Sequence, residues 1–244
     1  MCGRMTLTRS GSEIAEFFSL AAPGTPLLSA NKSPLRPRFN IAPGQDLFTI
    51  LFEPGLGRHL EWMRWGLIPS WAKDSSIGAR LFNARSETAA TKPSFRSAFK
   101  DRRCLIAADG FYEWSPRSQG HQAFYFESTG GTLLAFAGLF ESFRAESGQG
   151  IDSCTVLTTE ANSDVSDVHH RMPVLLDAEQ CELWLNPDSR RSDLEAICAS
   201  RAEGRLRKRA VGRRVNDARR DDASCLESDP QPVQTGLFEP GGEG

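Results

Sequence analysis

Residues 104–114 read Cys-Leu-Ile-Ala-Ala-Asp-Gly-Phe-Tyr-Glu-Trp, two apolar runs on either side of Asp109-Gly110. Short apolar runs bounded by turn residues are typical of β-strands. Asp-Gly is a strong hairpin signal, because both residues tolerate the positive φ angles of a two-residue turn. The stretch therefore predicts two antiparallel strands, 104–108 and 111–114, joined by a tight turn.

Further strand-like runs lie on both sides of this stretch. They follow one another without regular intervening helices, which argues against a doubly wound parallel sheet. We therefore predict an α+β fold with a mainly antiparallel sheet, closed or half-closed like a barrel, and a few short helices. The other predicted strands are 46–52, 60–65, 123–126, 132–138, 153–159 and 173–176.

Four helices are predicted from their first residues. Three have a capping-box pattern, in which a small polar residue precedes Glu or Gln by three positions, and the fourth is opened by a proline. These starts are Ser10 with Glu13, Asp177 with Gln180, Ser192 with Glu195, and Pro93 for a helix ending near Lys100.

The charge distribution separates a body from a tail. All 29 Lys and Arg lie within residues 1–220, together with 25 of the 31 Asp and Glu, so this part carries a net charge of +4. The remaining residues hold six acids and lose apolar periodicity, while Pro, Gly and Gln accumulate. We predict one folded domain over 1–223 and a disordered acidic tail over 224–244. A modestly basic body is compatible with a polyanionic partner.

Several classes of protein are excluded. The 39% hydrophobic, 25% charged composition is that of a globular domain, and no run of eighteen apolar residues or signal peptide occurs. We expect a cytoplasmic, nucleoid-associated monomer, or a nuclear one in a eukaryote, without membrane contact. The six cysteines have no C-x-x-C spacing, so we expect buried free thiols and neither metal nor cofactor.

Cys2 is the most informative single residue. Removal of Met1 would leave a cysteine with a free α-amine and a thiol, whose ordinary pKa values are about 7.7–8.0 and about 8.5. An aldehyde forms an imine with such an amine, and the sulfur then closes a five-membered thiazolidine ring. With an amide, the same residue could act as an N-terminal nucleophile that uses its own amine as base.

Six ordered motifs place Cys2 in a wider pattern that covers residues 2 to about 220. Together they resemble the SOS-response-associated peptidase family of abasic-site processing proteins, which crosslink covalently to DNA. The motifs are Met1-Cys2-Gly3-Arg4, Arg38-Phe39-Asn40-Ile41-Ala42-Pro43-Gly44, Trp65-Gly66-Leu67-Ile68-Pro69-Ser70-Trp71, Asn83-Ala84-Arg85-Ser86-Glu87-Thr88, Asp109-Gly110-Phe111-Tyr112-Glu113-Trp114 and His169-His170-Arg171-Met172-Pro173.

The resemblance implies an abasic site in single-stranded DNA as substrate and a thiazolidine between Cys2 and the sugar as product. It implies catalytic roles for Cys2, Asn83, Glu113 and His169. His169 is chosen over His170 because the family's histidine lies two residues before the motif arginine, here Arg171. Contacts to DNA are expected from Gly3, Arg4, Asn40, Pro43, Trp71, Arg85, Thr158 and Arg171.

The chemistry of these residue types is consistent with such roles. A carboxyl group desolvated among aromatic neighbours has a raised pKa, so Glu113 suits general acid and base duty. His169 titrates in the range needed to relay protons. The amide of Asn83 both donates and accepts, which suits it to orienting the amine or a sugar hydroxyl.

The sequence is also compatible with two other functional classes, an N-terminal-cysteine hydrolase and a DNA-binding module. Glutamine amidotransferases with an N-terminal nucleophile also begin Met-Cys-Gly, and Cys2, Glu113 and His169 could form a thiol hydrolase. A non-covalent single-stranded DNA-binding module is the other alternative.

The tail contains one further motif. Gln234-Thr235-Gly236-Leu237-Phe238 resembles the short peptide by which bacterial repair proteins bind the sliding clamp. Gln234 would hydrogen-bond at a pocket rim, and Leu237 with Phe238 would fill an apolar pocket.

Overall fold

Two β-sheets account for most of the architecture of the computed structural model, which describes residues 2–20, 36–116, 121–148, 150–201 and 203–228. Thirteen strands lie in these described ranges. They are β1 (Met5–Leu7), β2 (Arg38–Ile41), β3 (Asp46–Glu53), β4 (Gly57–Trp65), β5 (Asn83–Arg85), β6 (Arg103–Ala108), β7 (Gly110–Ser115), β8 (Gln122–Ser128), β9 (Leu134–Arg144), β10 (Gly150–Glu160), β11 (Arg171–Pro173), β12 (Leu175–Leu176) and β13 (Leu206–Val211).

The larger sheet contains a closed five-stranded barrel. Its strands pair in the ring β3–β4–β10–β9–β6 and back to β3, antiparallel except for β4 with β10. The short strands β5 and β11 attach to β10, and β12 attaches to β9. Apolar side chains such as Ile50, Ile106, Phe136 and Val156 are fully buried in the main core. The predicted α+β fold with a closed barrel is confirmed.

The second sheet is antiparallel and has the order β13–β8–β7–β1–β2. A small separate core packs against it, formed by Tyr112, Tyr125, Val211, Val215 and Cys225. Strand β13 was not predicted from the sequence, because its three central basic residues, Arg207, Lys208 and Arg209, hide the apolar pattern of a strand. Leu206 and Val211 anchor its two ends in the interior.

The predicted hairpin at Asp109-Gly110 is wrong. Strand β6 belongs to the barrel, whereas β7 belongs to the second sheet, so the dipeptide is a corner where the chain changes sheets. The Asp109 carboxylate accepts a hydrogen bond from the Thr8 backbone N–H (2.6 Å), and its own N–H donates to Thr6 O (2.9 Å). The turn residues are therefore used to attach β1 to the corner.

The helices are short, as predicted. Capping boxes at Ser10 and Asp177 are present, but Ser192 lies inside its helix, whose N-cap is Arg190, and the Pro93 helix begins only at Arg96. No helix among the described residues is long and apolar enough to cross a bilayer. The α-helices are α1 (Gly11–Phe17), α2 (Ser86–Ala89), α3 (Arg96–Asp101), α4 (Ala178–Leu185) and α5 (Arg191–Ala199).

The folded chain continues past the predicted boundary at residue 223. A 3-10 turn spans Ala223–Leu226 and buries Cys225, and the Gly212 N–H donates to Glu227 O. All six cysteines are buried free thiols, as expected.

Gly110 allows the corner between the sheets. A Cβ at this position would clash with the Phe126 carbonyl oxygen and lie 2.6 Å from the Tyr125 hydroxyl, which are both parts of the paired strand β8. We expect Gly110→Ala to lower the free energy of unfolding by about 2–4 kcal/mol, the cost of overpacking against backbone. Gly150→Ala, where a Cβ has open space, is the matched control. Equal stability of the two variants in urea unfolding would contradict this account.

Candidate active site

The start of the chain lies between the two sheets. Strand β1 pairs antiparallel with β7, Met5 opposite Phe111, and the Tyr112 N–H donates to Arg4 O (3.0 Å). The same course brings Cys2 beside Glu113 on β7. Cys2 is fully buried, which is unusual for a second residue, because chain termini are generally exposed.

Asn83 approaches Cys2 from the barrel. It is the first residue of β5, which pairs in parallel with β10, Asn83 opposite Val156. Its Nδ2 donates a hydrogen bond to Cys2 O at 2.6 Å. Its Oδ1 is buried and has no hydrogen-bond partner among the described residues, so an acceptor is available beside Cys2.

Glu113 is the acidic group of the site. Its side chain is 2% exposed, and this burial raises the pKa of its carboxyl to about 7. His169, which precedes β11 on the barrel, places its Nδ1 3.7 Å from Glu113 Oε1. A carboxyl with a pKa near 7 can both give and take a proton at neutral pH.

The imidazole of His169 is oriented by the backbone that follows it. His169 Nδ1 lies 3.0 Å from both the Arg171 N–H and the Arg171 carbonyl oxygen, and these two contacts fix the orientation of the ring. Burial lowers the pKa of His169, so the neutral form is favoured. His170 is exposed, and its ring packs against that of His169, with the centroids 4.4 Å apart.

The Cys2 sulfur rests as a neutral thiol. Burial first, and then the neighbouring Glu113 carboxyl, raise the pKa of the Cys2 thiol above its usual range. Reaction at sulfur therefore requires a base, and Glu113 is the base beside it. The structure thus brings together all four predicted catalytic residues: Cys2 and Glu113 from the second sheet, Asn83 and His169 from strands attached to β10.

Arg171 and Thr158 were expected to contact DNA, but both are buried. The Arg171 guanidinium binds both carboxylate oxygens of Glu87 (2.6 and 3.0 Å) and Thr158 O (2.5 Å). The Thr158 hydroxyl donates to Ala84 O. Glu87 thus fixes the arginine whose backbone orients His169. A buried arginine needs partners for its donors, but sequence alone does not say whether an acid or backbone carbonyls supply them.

Arg4, which is half-buried, and Asn40 bind each other and the same loop. Asn40 is fully buried, and its Oδ1 accepts from Arg4 Nη1 at 2.8 Å. The remaining donors of both side chains bind backbone carbonyls of residues 215–220. Burial lowers the pKa of Arg4. Their positions support a structural role next to the site rather than direct contact with a strand.

The other predicted DNA contacts are accessible. Trp71 is 60% exposed and Arg85 is exposed, whereas Gly3 and Pro43 are partly exposed. Gln234, Leu237 and Phe238 lie outside the described residues. Among the described residues, no group of three or more His, Cys, Asp and Glu side chains is arranged to hold a metal ion.

Fold and site together describe a barrel protein whose second residue, a cysteine, faces a buried carboxyl, an imidazole and an amide. Residues 1–218 match the family model described as SOS response associated peptidase (SRAP). The chain belongs to this family.

Its relatives carry a common name. The abasic site processing protein YoqW of Bacillus subtilis (strain 168) is 36% identical over 232 residues, which cover 93% of this chain and 100% of that protein. The abasic site processing protein HMCES of Gallus gallus is 33% identical over 199 residues, 72% of this chain and 58% of the relative. A crystal structure of a protein from Bacteroides thetaiotaomicron has the same fold, with a TM-score of 0.81 at 20% identity, covering 93% and 100% of the two chains.

The raised pKa of Glu113 makes stability depend on pH. Between pH 4.5, the ordinary pKa of a glutamate, and about pH 7, the folded protein keeps a proton on Glu113 that the unfolded chain has released. Stability therefore falls as pH rises through this window and stays lower above it, by on the order of 3 kcal/mol. We expect Glu113→Gln to remove this dependence in urea unfolding at about pH 5 and about pH 8.

Glu179→Gln is the matched control, because Glu179 is exposed on α4. It should reproduce the pH dependence of the wild type. If the free energy of unfolding of Glu113→Gln changes with pH as much as that of the wild type and of Glu179→Gln, Glu113 does not titrate near neutrality.

Proposed function

We propose that this protein senses abasic sites in single-stranded DNA and captures them covalently through Cys2 after Met1 is removed. The family and the names of its relatives support an abasic-site substrate. The observation that carries the chemistry is the buried cluster of Cys2 with Glu113, His169 and Asn83. An abasic sugar in its open form is an aldehyde, and a 1,2-aminothiol is a good trap for an aldehyde.

The reaction has three steps, and no oxidant or reductant is required. The sugar ring opens when a proton is delivered to its ring oxygen and the C1′ hydroxyl loses one. The Cys2 amine then adds to C1′, and the carbinolamine loses one water to give an imine. Finally the sulfur adds to the imine carbon, the thiol proton leaves, and the nitrogen is protonated. One thiazolidine and one water result from one aldehyde and one aminothiol.

Glu113 is suited to moving the protons in these steps. With a pKa of about 7 it can protonate a leaving hydroxyl in one step and accept the Cys2 thiol proton in another. The order of reaction at the two Cys2 atoms follows from burial. Because the thiol is neutral at rest, the amine attacks first and the sulfur reacts after its proton is removed.

His169 and Asn83 position the reactants. His169 Nε2 can hydrogen-bond the opened sugar oxygen, since Nδ1 is engaged by the Arg171 backbone. The accepting Oδ1 of Asn83 can orient the Cys2 amine or a sugar hydroxyl, while its Nδ2 fixes the Cys2 carbonyl. Both side chains come from the barrel, so the lesion is held between the two sheets.

Covalent capture would protect the lesion from strand cleavage. An imine at C1′ accelerates β-elimination because it acts as an electron sink. Closing the imine to a thiazolidine removes that sink. Trp71 offers an exposed ring on which an unpaired base can stack, and Arg85 an exposed charge for a phosphate.

Variants of Cys2 separate this proposal from simple DNA binding. Wild-type protein should leave a denaturation-resistant adduct on an abasic oligonucleotide, whereas Cys2→Ser should give mainly an imine that borohydride traps. Cys198→Ser, which changes another buried thiol, is the matched control and should react like the wild type. Denaturing electrophoresis and intact mass, with and without borohydride, measure both species. Crosslinking of Cys2→Ala at the wild-type rate without reductant would refute the mechanism.

Glu113→Gln should slow adduct formation by about a hundredfold or more while DNA binding persists, since general acid-base catalysis contributes on that scale. The readouts are the rate of adduct formation at saturating DNA and the Kd for an intact oligonucleotide. An unchanged rate would assign proton transfer to another group.

Two measurements address the removal of Met1 and the alternative chemistry. The intact mass of the purified protein shows whether Met1 is retained, and the same measurement on Glu113→Gln shows whether its removal depends on the site. An N-terminal-cysteine amidotransferase would instead release ammonia from glutamine and leave abasic DNA unmodified.

The C-terminal motif supports a separate proposal, binding of the tail to the sliding clamp. Leu237 and Phe238 are the large adjacent apolar pair of an acidic stretch, and such a pair suits an apolar pocket. A peptide of residues 228–244 should bind the clamp of the source organism with a micromolar Kd. The double variant Leu237→Ala/Phe238→Ala should lose this binding. No binding of the unchanged peptide at millimolar concentration would end the idea.

A further inference from the structure

One loop next to the site is held by an unusual number of buried polar contacts. We call residues 213–220 the arginine loop, because Arg213, Arg214, Arg219 and Arg220 belong to it. The fully buried amide of Asn40 donates to three of its carbonyl oxygens, those of Val215 (3.2 Å), Asp217 (3.0 Å) and Arg220 (2.8 Å).

Two further side chains bind the same loop. Arg4 Nη1 donates to Val215 O at 2.5 Å, and Trp114 Nε1 donates to Asn216 Oδ1 at 2.7 Å. The Val215 side chain is buried in the small core beneath the second sheet. Hydrogen bonds to its backbone carbonyls and the buried side chain of Val215 therefore hold the loop in place. Its conformation is set without a ligand.

The contacts also fix the position of the loop relative to the site. Arg4 lies two residues after Cys2, and Trp114 directly follows Glu113 on β7. The Arg4 guanidinium lies over the Trp114 ring, 5.8 Å from its centroid. Successive side chains of a strand point to opposite faces, so Trp114 and the arginine loop lie on the face of the second sheet opposite Glu113. The loop is thus attached to the two chain segments that carry Cys2 and Glu113, from the other side of that sheet.

The charges of the loop are divided between the interior and solvent. The Asp221 carboxylate, just after the loop, accepts from Arg38 and from the Phe39 and Asn40 N–H groups. Asp217 is paired with Arg219. Within the described residues, Arg213, Arg214 and Arg220 are exposed and form no ion pair with a carboxylate; these three charges face solvent. The next acid along the chain, Asp222, accepts from Ser224.

We propose that the arginine loop binds the phosphodiester backbone of the DNA strand outside the abasic-site pocket. The inference rests on the proposed function, because it takes its ligand from it. Arginine is suited to phosphate by its planar, bidentate donors, and a loop that is already ordered loses little conformational entropy on binding. Arg4 and Asn40 then act on DNA indirectly, by holding the loop that presents these arginines.

The test compares Arg213→Ala/Arg214→Ala with Arg190→Ala/Arg191→Ala, which removes two adjacent charges from α5, where no site residue lies. Each protein is titrated with single-stranded oligonucleotides of about 5 and about 25 nucleotides that carry a central abasic analogue, over a range of salt concentrations. Borohydride-free adduct formation on the reactive abasic form of the short oligonucleotide is measured in parallel.

We expect the loop variant to bind the long oligonucleotide more weakly at low salt, with the slope of log K against log salt reduced by about 0.7 for each lost phosphate contact. Binding of the short oligonucleotide, its adduct rate and all properties of the α5 variant should match the wild type. An unchanged slope in the loop variant would overturn the inference while leaving the proposed function intact. Absence of any adduct with the wild type would instead refute the proposed function.

Discussion

Burial of the first residues between two sheets is the constraint on which the rest of the site depends. Pairing of β1 with β7 sets Cys2 beside Glu113, and the Asn83 amide fixes the Cys2 carbonyl from the barrel side. The same enclosure removes water from Glu113, and this raises its pKa to about 7. If the chain start were mobile, Glu113 would be an ordinary ionised carboxylate and the thiol an ordinary surface thiol.

Around this centre, buried polar side chains act in supporting pairs. Glu87 holds Arg171, and the Arg171 backbone orients the ring of His169. Arg4 holds Asn40, and both fix the arginine loop. Residues that share one motif thus have different tasks: some line the candidate site, and others keep those residues in place. Buried polar groups are costly unless satisfied, and here each hydrogen bond that satisfies one also positions a neighbour.

The sequence predicted what depends on local pattern. Capping boxes at Ser10 and Asp177 and the long barrel strands follow from short-range chemistry, and the four candidate catalytic positions came from motifs. The Asp109-Gly110 dipeptide predicted a turn but not the change of sheet, because pairing partners are decided by the whole fold. The burial of Asn40 and Arg171 could not be predicted either, since Asn40 binds a carbonyl 180 residues away and Arg171 an acid 84 residues away.

The distance along the chain between Cys2 and His169 has a consequence for synthesis. Strand β5 can pair only when β10 has been made, and His169 follows later still. At ribosomal rates of about 5–20 residues per second, Cys2 waits for roughly ten seconds or more before its enclosure can form. During that interval the nascent thiol is accessible to processing enzymes and to oxidants. The reactive centre and its enclosure therefore form together, once the chain has been made through His169.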